Sequence, residues 1–538
     1  MRAEFLRLAW LALVLALLGI GGAPAWAAPD PDEVAETIRR TVEQLRSTGE
    51  ATIAGRKLLS ARGLPEIYEA RGFLRLWSDP GNEEALLGEI AAASGDGLNP
   101  EDYHFDALRT VLDRRRQEPD SPGLAASADM LLTDALLRLA VHFHLGKLDP
   151  ATGQARWDLA GTVRGEPGAA VVTRMATGRA LPQQLGELRP VQPLYGRFKS
   201  ALARYRVIEQ ADDLAPLPAG RVLQLGMEDA RVPLLRRRLA ATGDFAGIVL
   251  DSPRFEPALE EAVRRFQARH RLKPDGVFGP ASQRELNRPI EERIDQLMAN
   301  LERARWMLAE VRGRFLVIDP PGRRVVLMDN SQPVLVQDAA FTAAAASARE
   351  FRTDMHYLVV HPDWVLPPPL VEAQVAPLAR RAPAQLEPRG LQVFNAAGEP
   401  VAPARADWSR PSTLVVRQLP GARNFLGNLR FSMPNAAGIF LHGGPAEGDA
   451  LAGSIRLEDP EALARALAGP PAPWTSETLS VALAGGAPRT LLLGRPVPVL
   501  YGYWSAWVDT GGMVSFRIGY EDRDALILAG LRRAAGAP

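Results

Sequence analysis

The sequence predicts a multidomain α+β chain. An all-α front part comes first, a compact helical module is set into it, and a mainly-β part follows. Three observations carry that expectation. At 538 residues the chain exceeds the ~250–300 residues over which a single core grows. From Asp32 to about Leu217 apolar residues recur at helical spacing. From Arg314 onward short β-rich runs, closed by Pro, Asp or Asn, take over.

Taken in order, Arg2 and Arg7 precede an apolar run from Leu8 to Ile20, and Ala25-Trp26-Ala27 follows. A basic start, a short apolar run and an A-x-A end predict a secretory signal peptide over 1–27, cleaved after Ala27. The alternative, an uncleaved anchor helix, needs about twenty apolar residues, more than this run supplies. Export without a remaining membrane span is therefore expected. The chain has no cysteine, which excludes a lipoprotein anchor and disulfides, so packed cores alone must hold the exported domains together. With 63 basic and 63 acidic residues there is no global field to attract nucleic acid or an anionic membrane. The runs Arg114-Arg115-Arg116 and Arg236-Arg237-Arg238 read as solvated helix faces.

The helical front domain is expected over 32–220, completed by a returning helix at 289–311. Thr37, Ile38, Val42 and Leu45 mark its first helix, and Met130, Leu131, Ala135, Leu136, Leu139, Ala140 and Phe143 a broad apolar stripe on a long one. Turns fall at Asp79-Pro80-Gly81, Asp96-Gly97 and Asn99-Pro100. The module covers 227–287, with Val232, Leu235, Leu239, Ala262, Val263 and Phe266 as its apolar faces. Asp275-Gly276 makes a tight turn, and Gly279-Pro280 opens the next helix, where proline suits the first turn. Strands are expected at Phe315–Ile318, Arg324–Met328 and Tyr357–Val360.

Ordered blocks along the chain carry a resemblance. The stretches I67-Y-E-A-R-G-F-L-R-L-W, D96-G-L-N-P-E-D-Y-H and L145-G-K-L-D-P resemble the scaffold domain of YcbB-like L,D-transpeptidases. R264-R-F-Q-A-R-H-R-L-K-P-D-G-V-F-G-P-A-S-Q-R-E-L resembles a three-helix peptidoglycan-binding domain. His361-Pro362-Asp363-Trp364-Val365-Leu366-Pro367-Pro368 matches the family's N-P-x-W-x-V-P-P, and the tail Tyr503-Trp504-x-Ala506-Trp507-Val508 follows its pattern. Where the family reads P-N…I-Y-L-H-D-T and then S-H-G-C-I-R-V-E-D-P, this chain keeps Pro434, Asn435, Ile439, Phe440, Leu441 and His442, and then Ile455 through Pro460. The resemblance implies an L,D-transpeptidase domain of the YkuD type over 314–470, with a small helical cap at about 369–408 over the groove. A C-terminal extension follows at 471–538.

The chemistry departs from the family at one point. Leu451-Ala452-Gly453-Ser454 stands where the family has S-H-G-C. There, a cysteine thiolate attacks a tetrapeptide stem and an upstream histidine is the base. A thiol with pKa about 8.5 can be pulled below neutrality beside a histidine, whereas a serine needs an oriented base and an oxyanion hole. His442 holds the base position, but no carboxylate is visibly placed to orient it, and Ala452 replaces the family's second histidine. Only twelve positions separate His442 from Ser454, fewer than in the family. Ala343–Glu350 replaces a hairpin that carries R-x-T-P. By resemblance Gly453 and Arg456 belong to the site and Arg456 organises the pocket; a salt bridge from Arg456 to Glu458 or Asp459 is the alternative.

Three readings remain open from the sequence. The first is a degenerate homologue that binds peptidoglycan and organises the wall, with other cell-wall enzymes as candidate partners. The second is a serine-dependent transpeptidase or carboxypeptidase using Ser454 and His442, and the third an exported structural protein without a ligand. Peptidoglycan contact is assigned to Lys273, Asp275, Gly276, Phe278 and Gly279, at the module's turn. His142 and His144 point about 200° apart on a helix and cannot share a metal. His270 is expected to cap or pack, and His361 to make a structural hydrogen bond. No metal or cofactor is implied, and the expected compartment is the periplasm of a Gram-negative bacterium.

Overall fold

The computed structural model describes residues 29–156, 162–163, 166–211, 214–444, 453–517 and 521–533. The signal-peptide expectation lies outside them. Helices dominate the front part, as the periodicity predicted. Helix α1 (Pro31–Thr48) buries Val34, Ile38, Val42 and Leu45 on one stripe. It packs with α2 (Phe105–Gln117) around α3 (Pro122–Leu145), which is buried on nearly every side. A helix that deep must place its polar side chains. Asp129 accepts from the Leu76 and Trp77 backbone N–H groups at 2.9 Å and from Tyr68 Oη at 2.8 Å. No described helix is long and apolar enough to cross a membrane.

After α4 (Pro193–Glu209), the chain builds the module and returns. Helices α5 (Val232–Ala241), α6 (Pro257–Arg269) and α7 (Pro280–Leu286) enclose a core of Leu235, Leu239, Val263, Phe266 and Phe278. Helix α8 (Ile290–Leu308) then lies against α4, so the module is an insertion, as expected. Of the basic runs, Arg114-Arg115-Arg116 keeps its outer arginines exposed, as expected, and Arg236-Arg237-Arg238 departs from the solvated-face expectation. Arg236 and Arg238 are buried, where Arg236 meets Glu256 at 2.7 Å and Arg238 donates to the Leu214 and Ala215 carbonyls. Their long side chains satisfy orphan carbonyls that short residues could not reach.

The C-terminal part is a closed eight-stranded barrel. Its strands begin with β1 (Phe315–Asp319), β2 (Arg324–Asp329), β3 (Gln332–Phe341) and β4 (Phe351–Val360). The cap follows as β5 (Trp364–Val365), β6 (Leu391–Phe394), β7 (Pro400–Val401) and β8 (Val415–Gln418). The barrel resumes with β9 (Leu429–Ser432), β10 (Phe440–His442), β11 (Ser454–Leu457) and β12 (Arg489–Tyr501), in the order β9-β10-β11-β3-β2-β1-β12-β4. Two expectations change here. The cap is not only helical: it holds a four-stranded sheet that reaches Gln418, built by pairing too distant in sequence to show locally. The segment after 470 is not an appendage, because β12 closes the barrel between β1 and β4.

Helix α8 joins the domains through buried polar contacts. Arg303 meets Asp524 at 2.6 Å, and Asn300 donates to Ser505 Oγ at 2.7 Å. The module in turn docks on the hairpin β13 (Ala506–Val508) and β14 (Val514–Phe516). Arg269 donates to the Val514 carbonyl and the His270 ring stacks 6.2 Å from Phe516, while from α8 the Arg293 guanidinium lies 4.5 Å over the same ring.

Candidate functional site

The site sits on two parallel strands. Strands β10 and β11 pair with Phe440 opposite Ser454 and His442 opposite Arg456. Leu441, Ile455 and Leu457 point into the barrel core. Strand alternation then puts Phe440, His442, Ser454 and Arg456 together on the outer face. The sequence-predicted residues therefore do converge.

The motif residues that survive build this backbone. Asn435 donates to the carbonyls of Met433 and Ile439 and accepts from the Ile439 N–H, pinning the turn into β10. Asp459 accepts from Ala462 N at 2.8 Å and caps helix α9 (Pro460–Leu467), with Pro460 at its start. Gly453 has φ 88° and lies under the Gly438 backbone, where a Cβ would collide. Ser454 is buried, and its carbonyl accepts from Thr342 N at 3.3 Å and Thr342 Oγ1 at 3.2 Å.

His442 is held rather than poised. Its Nδ1 accepts from the Gly444 N–H at 3.1 Å, so the neutral ring carries its proton on Nε2. To take a proton from a hydroxyl, the ring would have to give up that bond. Phe425 and Phe440 flank it, with ring centroids 4.8 and 5.8 Å away. Burial pushes its pKa down to about 4, the Arg456 charge adds to that, and a backbone contact with Phe425 opposes it. A general base works best with a pKa near the operating pH, which this ring lacks. No ion pair joins His442 to a carboxylate among the described residues. The flanking aromatics escaped the sequence reading, although Phe440 lies two residues from His442 on the same strand face.

The space around the ring is filled by backbone. Where the family has H-D-T, this chain has His442-Gly443-Gly444. A Cβ at Gly444 would run into the Phe425 carbonyl, and one at Gly443 into the Pro460 ring. The glycine pair allows an approach that side chains would forbid. Beside it lies an open cleft of about 540 Å³, between Gly421–Leu429 and the start of α9. The substituted positions Leu451 and Ala452 fall outside the described residues. The replaced hairpin is a short helix at Ala343–Ser347 whose Ala345 carbonyl accepts from Tyr501 Oη.

Arg456 makes no salt bridge with Glu458 or Asp459, contrary to the alternative for it; it faces a separate cleft of about 270 Å³. Two of the other histidines singled out in the sequence are occupied. His142 bonds Tyr103 Oη and the Arg156 carbonyl, and His361 Nε2 bonds the Leu483 carbonyl at 2.7 Å.

The module's turn is chiefly self-satisfied. Asp275 accepts from Gln267 Nε2 and Val277 N, and the Gly276 N–H donates to Gln267 Oε1 at 2.9 Å. Gly276 has φ 77°, and a Cβ there would meet Glu260. Gly279 precedes α7 as its cap residue. Phe278 corrects the sequence expectation: it is buried in the module core, because the turn folds its ring inward against Leu223. Lys273 is exposed.

Fold and site together define a protein with a helical front domain, an inserted three-helix module and a closed barrel that carries the motif residues. Family models match in the same order: "Scaffold domain" at residues 62–202, "Putative peptidoglycan binding domain" at 228–286, and "L,D-transpeptidase catalytic domain" at 313–499. The chain belongs to the L,D-transpeptidase family, in the form that carries a scaffold domain and a peptidoglycan-binding domain. A Haemophilus influenzae protein described as a "Putative L,D-transpeptidase" is 29% identical over 168 residues, 29% of this chain. The match covers 34% of that relative's length. Among solved structures, an L,D-transpeptidase from Xylanimonas cellulosilytica aligns at 14% identity and TM-score 0.16, covering 53% of this chain and 99% of that one. A fused Zn-dependent amidase/peptidase/peptidoglycan-binding protein from Clostridium acetobutylicum aligns at 11% identity and TM-score 0.15, covering 53% of this chain and 100% of that one. At those scores neither carries weight.

Proposed function

We propose that this chain is a degenerate L,D-transpeptidase homologue that binds peptidoglycan and serves cell-wall organisation without cross-linking it. One observation carries the reading. The position of the family's thiol holds Ser454, and the histidine beside it has its Nδ1 engaged by Gly444 and its pKa held at about 4. A hydroxyl needs a stronger base than a thiol does, and here it faces a weaker one. The chain acts after export, in the periplasm, with 1–27 removed as its signal peptide and other cell-wall enzymes as partners. Peptidoglycan is held mainly by residues 227–287.

Two measurements test this. Incubation of the mature chain with tetrapeptide muropeptides should give no 3–3 dimers by mass spectrometry, and a carbapenem should leave the intact mass unchanged. Dimers that vanish in Ser454→Ala would establish the serine-dependent reading, which the shared face of Ser454 and His442 favours. In sedimentation with purified sacculi the full mature chain should pellet, and deletion of 227–287 should abolish it. Pelleting no greater than a neutral control would end the binding role.

A further inference from the structure

Four segments meet beside the site at the cleft of about 270 Å³. It is lined by Arg271 from the module, Arg323 from the β1–β2 turn, Asp338 from β3, and Arg456 and Glu458 around β11. Their backbones are fixed to one another. Glu458 N donates to the Asp338 carbonyl at 3.1 Å, Ala339 N to the Arg323 carbonyl at 2.8 Å, and the Arg271 guanidinium to the Gly322 carbonyl. That last bond carries the module's cation onto the barrel. Three guanidinium groups and two carboxylates thus share one open cleft, yet no ion pair links any of the five to another charge among the described residues. The other buried or half-buried charges at this seam are paired, as Arg324 is with Asp319 at 3.0 Å and Arg269 with Asp244.

We infer that this cleft between module and barrel binds a short free peptide, its C-terminal carboxylate meeting Arg271, Arg323 and Arg456 and its N-terminal ammonium meeting Asp338 and Glu458. Planar guanidinium groups suit a carboxylate through paired N–H donors, and a carboxylate suits an ammonium. A plain anion would leave Asp338 and Glu458 opposed to it; a plain cation would oppose the arginines. The volume also limits the ligand: water occupies about 30 Å³ per molecule, so the cleft holds one or two amino-acid residues. The chemistry stands apart from the proposed function. Only the source, a peptide of the cell wall, rests on it.

Isothermal titration of the mature chain with alanyl-alanine tests the inference. Alanyl-alanine should bind in the order of millimolar, since a ligand this small gains little over its ordering cost. N-acetyl-alanyl-alanine and alanyl-alanine amide should each bind about tenfold more weakly, having lost one charge. Free alanine separates a lone amino acid from a free peptide as the preferred source, and should bind more weakly than the dipeptide. Arg271→Gln and Arg323→Gln should each weaken the dipeptide about fivefold. Asp338→Asn should weaken the dipeptide and its amide but spare the acetylated form. These residues are exposed, and an unchanged melting temperature keeps a folding defect apart from a binding one. Acetylated and free dipeptide binding equally would overturn the inference in favour of a simple anion site. No binding of any probe, or variants that bind like the parent, would overturn it outright. Sacculus pelleting that persists in those cases would leave the wall-binding role standing.

Discussion

Two buried histidines, one in the module and one in the barrel, look alike and are built differently. His270 follows α6, with its Nδ1 2.8 Å from Glu285 Oε1, poorly aligned for a hydrogen bond, and its ring against Phe266 and Phe516. His442 ends β10 between Phe425 and Phe440, with a backbone N–H on its Nδ1 and no carboxylate. Burial drives both pKa values down, to about 3 and about 4, with neighbouring arginines adding to it. A histidine–carboxylate contact is therefore found in the module, and a hydrogen-bonded one between His104 and Asp134 at 2.7 Å in the front domain, both away from the barrel site. At the site that kept the family's frame, it is missing. A titratable pair identifies a working base only when a nucleophile stands beside it.

The largest effect expected from this contrast is at Glu285. Its carboxylate is held ionised below the usual range, and it also pairs with the buried Arg293. In Glu285→Ala the Arg293 charge stays buried without that partner, which costs about 3–5 kcal/mol. Because the chain has several domains, hydrogen exchange across 259–311 is the measurement to use. Protection equal to the parent's would show that the pair is incidental.

Acidification comes next. The folded pKa of His442 lies below the value of 6.5 expected when exposed. Its contribution is complete above pH 6.5 and is lost as pH falls through about 4, because the unfolded chain then binds the extra proton. The loss is about 3 kcal/mol. His270 should behave in the same sense, completing its loss near pH 3. Imidazole proton shifts followed by NMR would show both midpoints. A midpoint for His442 near 7 would return it to service as a base and collapse the contrast.

A smaller effect is expected from His442→Leu, which keeps bulk and removes the acceptor for Gly444. The buried N–H left behind costs about 1–2 kcal/mol. Thermal unfolding of the barrel should register it, and sacculus binding should not change. Unfolding equal to the parent's would show that the Gly444 contact carries no stability.

What the sequence disclosed follows from how local each feature is. The α3 stripe, the module's turn and the order of domains rest on neighbours in sequence, and they stand in the structure. The β12 strand and the cap sheet depend on partners a hundred or more residues away or on two-residue strands, which carry no local pattern. Ser454 and His442 were legible as residues. The lock on His442 was not, because it comes from the Gly444 backbone and from Phe425, across a loop. Phe278 was misplaced for a related reason. A turn motif shows where the chain bends, and only the packed core shows which ring is turned inward.

The smallest effect is expected where family logic would place the largest, at Ser454→Cys. The substitution supplies the missing thiol and leaves three obstacles. The thiolate needs a base or a positive neighbour to form below its ordinary pKa of about 8.5, and His442 is neutral with its Nδ1 engaged. The path around the ring is occupied by the Phe425 carbonyl and Pro460, which pack where Gly443 and Gly444 lack side chains. Only twelve positions join His442 to residue 454, so a groove wall of family length cannot form. Misplacement by ~1 Å alone can cost ~100-fold in rate. The Ser454→Cys chain should therefore make 3–3 dimers at under about one hundredth of the rate of an active family member, measured by mass spectrometry of the muropeptides. Arg456 beside His442 could still lower the thiol's pKa, so slow alkylation by iodoacetamide without dimer formation is the matching positive signal. Turnover near that of active relatives from this one substitution would mean that the site kept its geometry and lost only an atom.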